Sequence, residues 1–414
     1  MKRVTQVLHL QSRCIRGRPK IEPFPSQKPT KSGILDEGAT YADMHNAYTD
    51  VVHGVPYKEK DIRLALDKST EEIVKEKNKK LYSQRKVSGV INFDHIPIED
   101  QCVLLFPGQG AQFVGMGKKV LKFVLAFIFG SFWLSIVKKR NGFSKKRQGP
   151  QTKLDQTLYC QPAVFVSSIA AWEKLKKEDE GVSTMTTDVA GFSVGEFAAL
   201  VAGGMLRFGD ALQVVKRRAE AMHKCNQLIS AGMVTVQVKA VSRLEDAMRD
   251  AREIAKEKHE VAVCEVANFL FCGVKVVGAT ETCLRFLEDN QQQYKFKILK
   301  RLPVSGAFHT PLMTDAVPEV AEELRKVELL TPICNIYSNF VGAVYSARKG
   351  EIRNAIAKQV VSPVKWEQIQ QLLFRKHKDE KFPRVIEVGP GKQLGTMWAK
   401  TSKKAHEKYE HYSC

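Results

Sequence analysis

A glycine-bracketed serine, Gly191-Phe192-Ser193-Val194-Gly195, falls between the apolar pair Val189-Ala190 and the helix-forming run Glu196-Phe197-Ala198-Ala199-Leu200. That order predicts a strand, a sharp turn and a helix, which is the setting a G-x-S-x-G motif requires. The turn lifts the serine hydroxyl clear of the sheet, and the glycines let neighbouring backbones pass close by. The helix that follows aims its first amides at the same point, where a developing oxyanion would be stabilised. A strand feeding a helix in this way argues for an α/β architecture.

At 414 residues the chain is long enough for two domains, or for one large domain that carries an insertion. Its 43% hydrophobic and 27% charged residues are ordinary for a folded protein, whereas a net charge of +20 is not. Residues 1–21 hold six Lys/Arg and no acid, and residues 138–147 hold six more, again with no acid, leaving +8 for everything else. A basic groove for nucleic acid is therefore not expected. The first segment, with Val4, Val7, Leu8 and Leu10 among its basic residues, has the profile of a mitochondrial targeting segment. The nine cysteines are scattered and odd in number, without a C-x-x-C, which points to reduced thiols. No His/Cys grouping has the spacing of metal ligands, so no metal is expected.

Residues 22–100 read as a linker or variable region, with Pro23, Pro25 and Pro29 and an exposed helix over Asp61–Arg85. Cys102–Phe106 is a short apolar strand that leads into the turn Pro107-Gly108-Gln109-Gly110-Ala111-Gln112. That turn lacks the third glycine of a dinucleotide fingerprint. Val120–Val137 is an 18-residue apolar run, borderline in length for a membrane span. From Gln156 onward the pattern is α/β, with a helix over Tyr159–Lys174 and a strand at Asp188–Gly191. Residues 232–303 read strand, helix, strand, strand, helix, strand, a ferredoxin-like unit inserted in a larger body. Its last strand is expected over Tyr294–Leu302. After it come helices at Val317–Val327 and Glu351–Val360, strands at Ile333–Tyr337 and Arg384–Val388, and a polar tail over 401–414.

A serine nucleophile needs a base to take its proton. Of the ten histidines, His309 differs from the rest in closing Pro303-Val304-Ser305-Gly306-Ala307-Phe308-His309, at the end of a strand and near a turn. Most of the others lie in charged or polar runs.

Five motifs stand together: Phe106–Gln112, Gly191–Glu196, Arg218-Ala219-Glu220-Ala221-Met222, Gly306–His309 and Glu387-Val388-Gly389-Pro390-Gly391. In this order they resemble the malonyl-CoA:acyl carrier protein transacylases, most closely the mitochondrial type, over residues 102–118 and 149–400. The resemblance implies an α/β-hydrolase-like large domain with a parallel sheet, over 101–231 and 304–400, around the inserted ferredoxin-like small domain. It implies Ser193 as nucleophile and His309 as general base and acid. It implies the Gln109 and Val194 amides as oxyanion hole and the Gln359 carbonyl as the group that orients the histidine. Arg218 is implied as the partner of the malonyl carboxylate, with Asn268 and Gln109 also at the substrate. Malonyl-CoA and acyl carrier protein are the implied partners, with no cofactor, and the mitochondrial matrix the implied location of a monomer. Lys275, Lys295, Lys297 and Lys300 are candidates for a basic docking face.

Residues 119–148 depart from the family pattern, with an apolar and then a basic run where amphipathic helices belong. A translated intron or a lineage-specific replacement would account for that. Two other readings stay open at this point. One is a serine hydrolase or thioesterase with water as acceptor; the other is a non-catalytic mitochondrial protein tethered to a membrane by Val120–Val137.

Overall fold

The computed structural model describes residues 89–117, 151–304 and 306–414. The segment expected to be a targeting sequence, the helix expected at 61–85, the apolar run Val120–Val137 and the basic cluster after it lie outside the described residues. Eleven strands are formed among those residues: β1 (Cys102–Phe106), β2 (Thr186–Gly191), β3 (Ala231–Gln237), β4 (Cys264–Phe271), β5 (Val274–Thr280), β6 (Lys297–Arg301), β7 (Asn335–Ser338), β8 (Ala343–Val344), β9 (Val364–Lys365), β10 (Arg384–Val388) and β11 (Tyr409–Tyr412).

β1 is buried along its whole length, and its side chains divide alternately between two cores. Cys102, Leu104 and Phe106 meet the helices Thr157–Glu178 and Gly195–Ala202, whereas Val103 and Leu105 meet Trp366, Ile369 and Trp398. A strand covered on both faces reads as an unbroken apolar run, as this one does. It lies at the centre of a six-stranded sheet ordered β11-β10-β1-β2-β7-β8. All pairings in that sheet are parallel except β7 with β8. The α/β class expected from the sequence is the class observed.

The second sheet is ordered β6-β3-β5-β4-β9. Val234, Val236, Val277 and Ala279 face the helices Leu244–Glu257 and Glu281–Asn290, while Met233, Ala267 and Val276 point the other way into the body's core. Period-2 alternation thus glues this sheet to the larger one. Its fifth strand, β9, comes from beyond residues 232–303 and pairs in parallel with β4.

Several boundaries differ from the sequence reading, and three of them have a clear physical reason. The polar tail over 401–414 is folded: Ser402 caps the helix Lys403–His406, β11 pairs with β10, and Cys414 is buried. An edge strand shows one face to water, so Tyr409-Glu410-His411-Tyr412 carries little apolar signal. Residues 89–100 are not linker, because Ile91 exchanges two hydrogen bonds with the Asn335 side chain, at 2.8 and 3.1 Å. β6 is shorter than expected, since Tyr294 and Phe296 are buried in the turn before it.

Candidate active site

The elbow is built by close backbone approach. A Cβ on Gly191 would stand 2.0 Å from the Gly195 carbonyl oxygen, and one on Gly195 would stand 2.2 Å from that of Phe106. Between these glycines Ser193 takes φ 52°, a left-handed conformation that costs a non-glycine residue on the order of 1 kcal/mol. Asn339 braces the turn from both ends. Its Oδ1 accepts from the Ser193 amide at 2.7 Å, and its Nδ2 donates to the Gly191 carbonyl at 2.7 Å.

His309 is delivered from the other side. It is buried, has φ 60°, and its amide donates to the Val360 carbonyl at 3.1 Å. Ring Nδ1 lies 2.8 Å from the Gln359 carbonyl oxygen. A carbonyl can only accept, so Nδ1 carries the proton and Nε2 presents its lone pair. Ser193 Oγ is 2.8 Å from that Nε2 and donates to it. The helix Lys349–Lys358 gives way to a 3-10 turn at Gln359–Val361, where the Gln359 carbonyl accepts a long bond from the Ser362 amide at 3.4 Å and the shorter one from the ring. Burial first, and the Arg218 cation second, hold the imidazole at about 3, well below its ordinary 6.5.

Arg218, on the helix Phe208–Leu228, is 1% exposed. One terminal nitrogen donates to Ser193 Oγ at 3.1 Å and to Gln359 Oε1 at 2.8 Å, while the other donates to Gln161 Oε1. Its Nε has no hydrogen-bond partner among the described residues. Burial brings it down to about 10, opposed by Glu196, so it is a cation at neutral pH. Gln359 Nε2 donates to Glu196, whose other oxygen accepts from Tyr345. Glu196 is thereby linked to Arg218 through one amide side chain, and burial raises its carboxyl to about 7.

A cavity of about 580 Å³ opens over these groups. Ser193, His309, Arg218 and Gln109 line it from the larger sheet's side, and Thr235, Asn268 and Val276 from the smaller sheet's. Asn268 Oδ1 is buried without a hydrogen-bond partner among the described residues. Neither the Gln109 nor the Val194 backbone amide donates to an acceptor among the described residues. Val194 and Gln359 are buried behind the cavity wall rather than on it. Of the four lysines expected at a docking face, Lys300 lines the cavity and the others do not.

All seven residues singled out in the sequence therefore sit in or directly behind one cavity. Sequence reasoning passed over Asn339, Glu196, Tyr345, Thr157 and Gln161. Gln161 left a trace, a lone amide inside the apolar helical run Tyr159–Ala171; Asn339 and Tyr345 left none. Among the described residues no group of three or more His, Cys, Asp or Glu side chains could hold a metal, and no helix is long and apolar enough to cross a membrane.

The profile of the acyl transferase domain family matches residues 103–412. The chain is 41% identical over 314 residues to the mitochondrial malonyl-CoA-acyl carrier protein transacylase of Homo sapiens, covering 75% of this chain and 79% of that protein. It is 31% identical over 309 residues to the malonyl CoA-acyl carrier protein transacylase of Bacillus subtilis, covering 72% and 90%. The crystal structure of MCAT from Streptococcus pneumoniae superposes with a TM-score of 0.63 at 30% identity, covering 76% of this chain and 96% of that one.

Proposed function

The chain belongs to the acyl transferase domain family, and from that premise we propose that it transfers the malonyl group of malonyl-CoA to acyl carrier protein in mitochondrial fatty acid synthesis. It is an acyltransferase, an acyl carrier protein S-malonyltransferase. The observation that carries the catalytic reading is the 2.8 Å contact between Ser193 Oγ and His309 Nε2, with a buried cation 3.1 Å from the same oxygen.

In the first half-reaction Nε2 of His309 takes the Ser193 proton as Oγ bonds to the thioester carbon. The carbonyl oxygen becomes an oxyanion, which the free Gln109 and Val194 amides receive; one such donor is worth about 3 kcal/mol. The C–S bond breaks, the imidazolium returns its proton to the CoA sulfur, and a malonyl-serine ester remains. In the second half-reaction the phosphopantetheine thiol of acyl carrier protein gives its proton to His309. Its sulfur attacks the ester, and the Ser193 oxygen leaves with that proton. Arg218 holds the distal carboxylate through both steps, since its planar fork suits a carboxylate and its Nε is free to donate. Asn268 Oδ1, also unpartnered, reads a donor on the incoming group.

Pairing with the malonyl carboxylate offsets the guanidinium charge. That removes the second cause of the low imidazole basicity and makes His309 a better base once substrate is bound. Among the described residues no charged side chain stands in the position of a triad acid; the Gln359 carbonyl fills that place.

The parallel order of the larger sheet, with the serine at the end of β2, supports an α/β-hydrolase-like body. The order β6-β3-β5-β4 across 231–301 supports a ferredoxin-like small domain. Work in the mitochondrial matrix is part of the proposal and rests on the basic amino-terminal segment and the mitochondrial relatives.

Incubation with malonyl-CoA and holo-acyl carrier protein tests the reading. Malonyl should appear on the carrier thiol, and Ser193→Ala should abolish it. Release of free malonate without carrier loading would make the chain a thioesterase instead.

A further inference from the structure

A line of hydrogen bonds runs from the guanidinium to the oxyanion loop through a residue that touches neither cavity nor substrate. Arg218 donates to Gln161 Oε1; Gln161 Nε2 donates to Thr157 Oγ1 at 2.7 Å; Thr157 Oγ1 donates to Gln109 Oε1 at 2.9 Å. The direction is forced at every link. Arginine only donates, so Gln161 must present its oxygen to Arg218 and its NH₂ group to Thr157. The single hydroxyl proton of Thr157 is then left for Gln109, whose own NH₂ group faces the Asp155 carbonyl at 3.5 Å. Thr157 is 3% exposed and Gln161 1%, so the bonds between Arg218, Gln161 and Thr157 are shielded from water, while the last link to the half-buried Gln109 reaches the cavity edge. Chains of this kind polarise one another in a low-dielectric interior.

We infer that Thr157 is a positioning residue that couples the carboxylate seat at Arg218 to the amide of Gln109 that receives the oxyanion. The inference rests on the acyl-transfer reading above and deepens it. A carboxylate on Arg218 fixes the guanidinium, which fixes Gln161, then Thr157, then the Gln109 side chain, and with it the backbone of the loop. An acyl group without a carboxylate leaves Nε of Arg218 without its partner, so the guanidinium is less firmly held and the loop is less well aimed. Selection for a dicarboxylic acyl group is thereby expressed in the chemical step, not in binding alone.

The test compares the parent chain with Thr157→Val, which keeps shape and removes the hydroxyl, and with Thr157→Ser, which restores it. Serine acylation is followed by intact mass at varied malonyl-CoA and acetyl-CoA, with thermal melting of each variant. For Thr157→Val the maximal rate with malonyl-CoA should fall about tenfold, since a small misplacement of a catalytic donor is costly. Its KM should stay within about twofold, and the loss with acetyl-CoA should be clearly smaller. Thr157→Ser should recover most of the rate. Thr157→Ala reads the same step if valine is not accommodated. Equal losses with both donors, a change confined to KM, or no change at all would overturn the coupling. A parent chain that takes no malonyl group from malonyl-CoA overturns the acyl-transfer reading itself, so the two failures are told apart.

Discussion

Nδ1 of His309 is held 2.8 Å from the backbone carbonyl of Gln359, while the side chain of the same Gln359 links Arg218 to Glu196. Backbone and side chain of one residue thus serve two purposes, and substitution separates them. Gln359→Ala keeps the carbonyl and loses the link. Loading of Ser193 should then fall roughly tenfold, against a thousandfold or more for His309→Ala, as for removal of a catalytic base. Single-turnover rates would show it. A loss in Gln359→Ala as large as in His309→Ala would mean that the carbonyl alone does not keep the ring in place.

The acid limb of the pH profile should be displaced. Because burial and Arg218 hold His309 at about 3, the ring stays neutral through mildly acidic pH, and kcat/KM for loading should show no inflection near 6.5. The limb in kcat should lie at higher pH than the limb in kcat/KM, because bound carboxylate offsets Arg218. The same burial acts on stability. Below about 6.5 the unfolded imidazole binds a proton that the native one refuses, so its contribution is complete above that pH and is lost as pH falls toward 3. Steady-state rates and denaturant titrations between pH 4 and 8 would check both.

Arg218→Ala should change which acyl groups are accepted. Two charge-assisted hydrogen bonds to a buried carboxylate are worth about 3 kcal/mol, or on the order of a hundredfold in kcat/KM for malonyl-CoA. Acetyl-CoA should lose far less. An unchanged ratio between the two donors, measured by intact mass, would remove the carboxylate seat from Arg218.

Ser193 stands at φ 52° to place its oxygen, and that geometry is tolerated rather than preferred. Both Ser193→Gly and Ser193→Ala should be inactive. The glycine variant should be more stable than the alanine variant by about 1 kcal/mol, since only glycine takes this conformation without strain. Urea denaturation reads the difference; equal stability would mean that the turn relaxes.

The residues that the structure brings together at the site were legible in the sequence because each proposed catalytic group sits in a local motif. Gly191–Gly195 announces the elbow by its own residues, and His309, Arg218 and Gln359 are tied to it by resemblance across long separations. The braces were not legible. Asn339 meets Ser193 from 146 positions away, and Thr157 meets Gln109 from 48 away, each by one polar contact that leaves no periodicity behind. Helices and strands followed the apolar pattern well where both faces or one clear stripe is buried, as in β1 and Leu244–Glu257. The pattern failed at edges. β11 alternates half-exposed polar residues, and β9 is two residues long and owes its place to β4, not to its own composition.

The central proposal is that Ser193 Oγ carries the malonyl group between two thiols. Peptide mapping by mass spectrometry after brief exposure to malonyl-CoA, quenched in acid, tests this directly. The account predicts a malonyl ester on the peptide that contains Ser193, discharged on addition of holo-acyl carrier protein and absent from His309→Ala on the same timescale. A malonyl group found on another residue, or carrier loading with Ser193 never acylated, would contradict it.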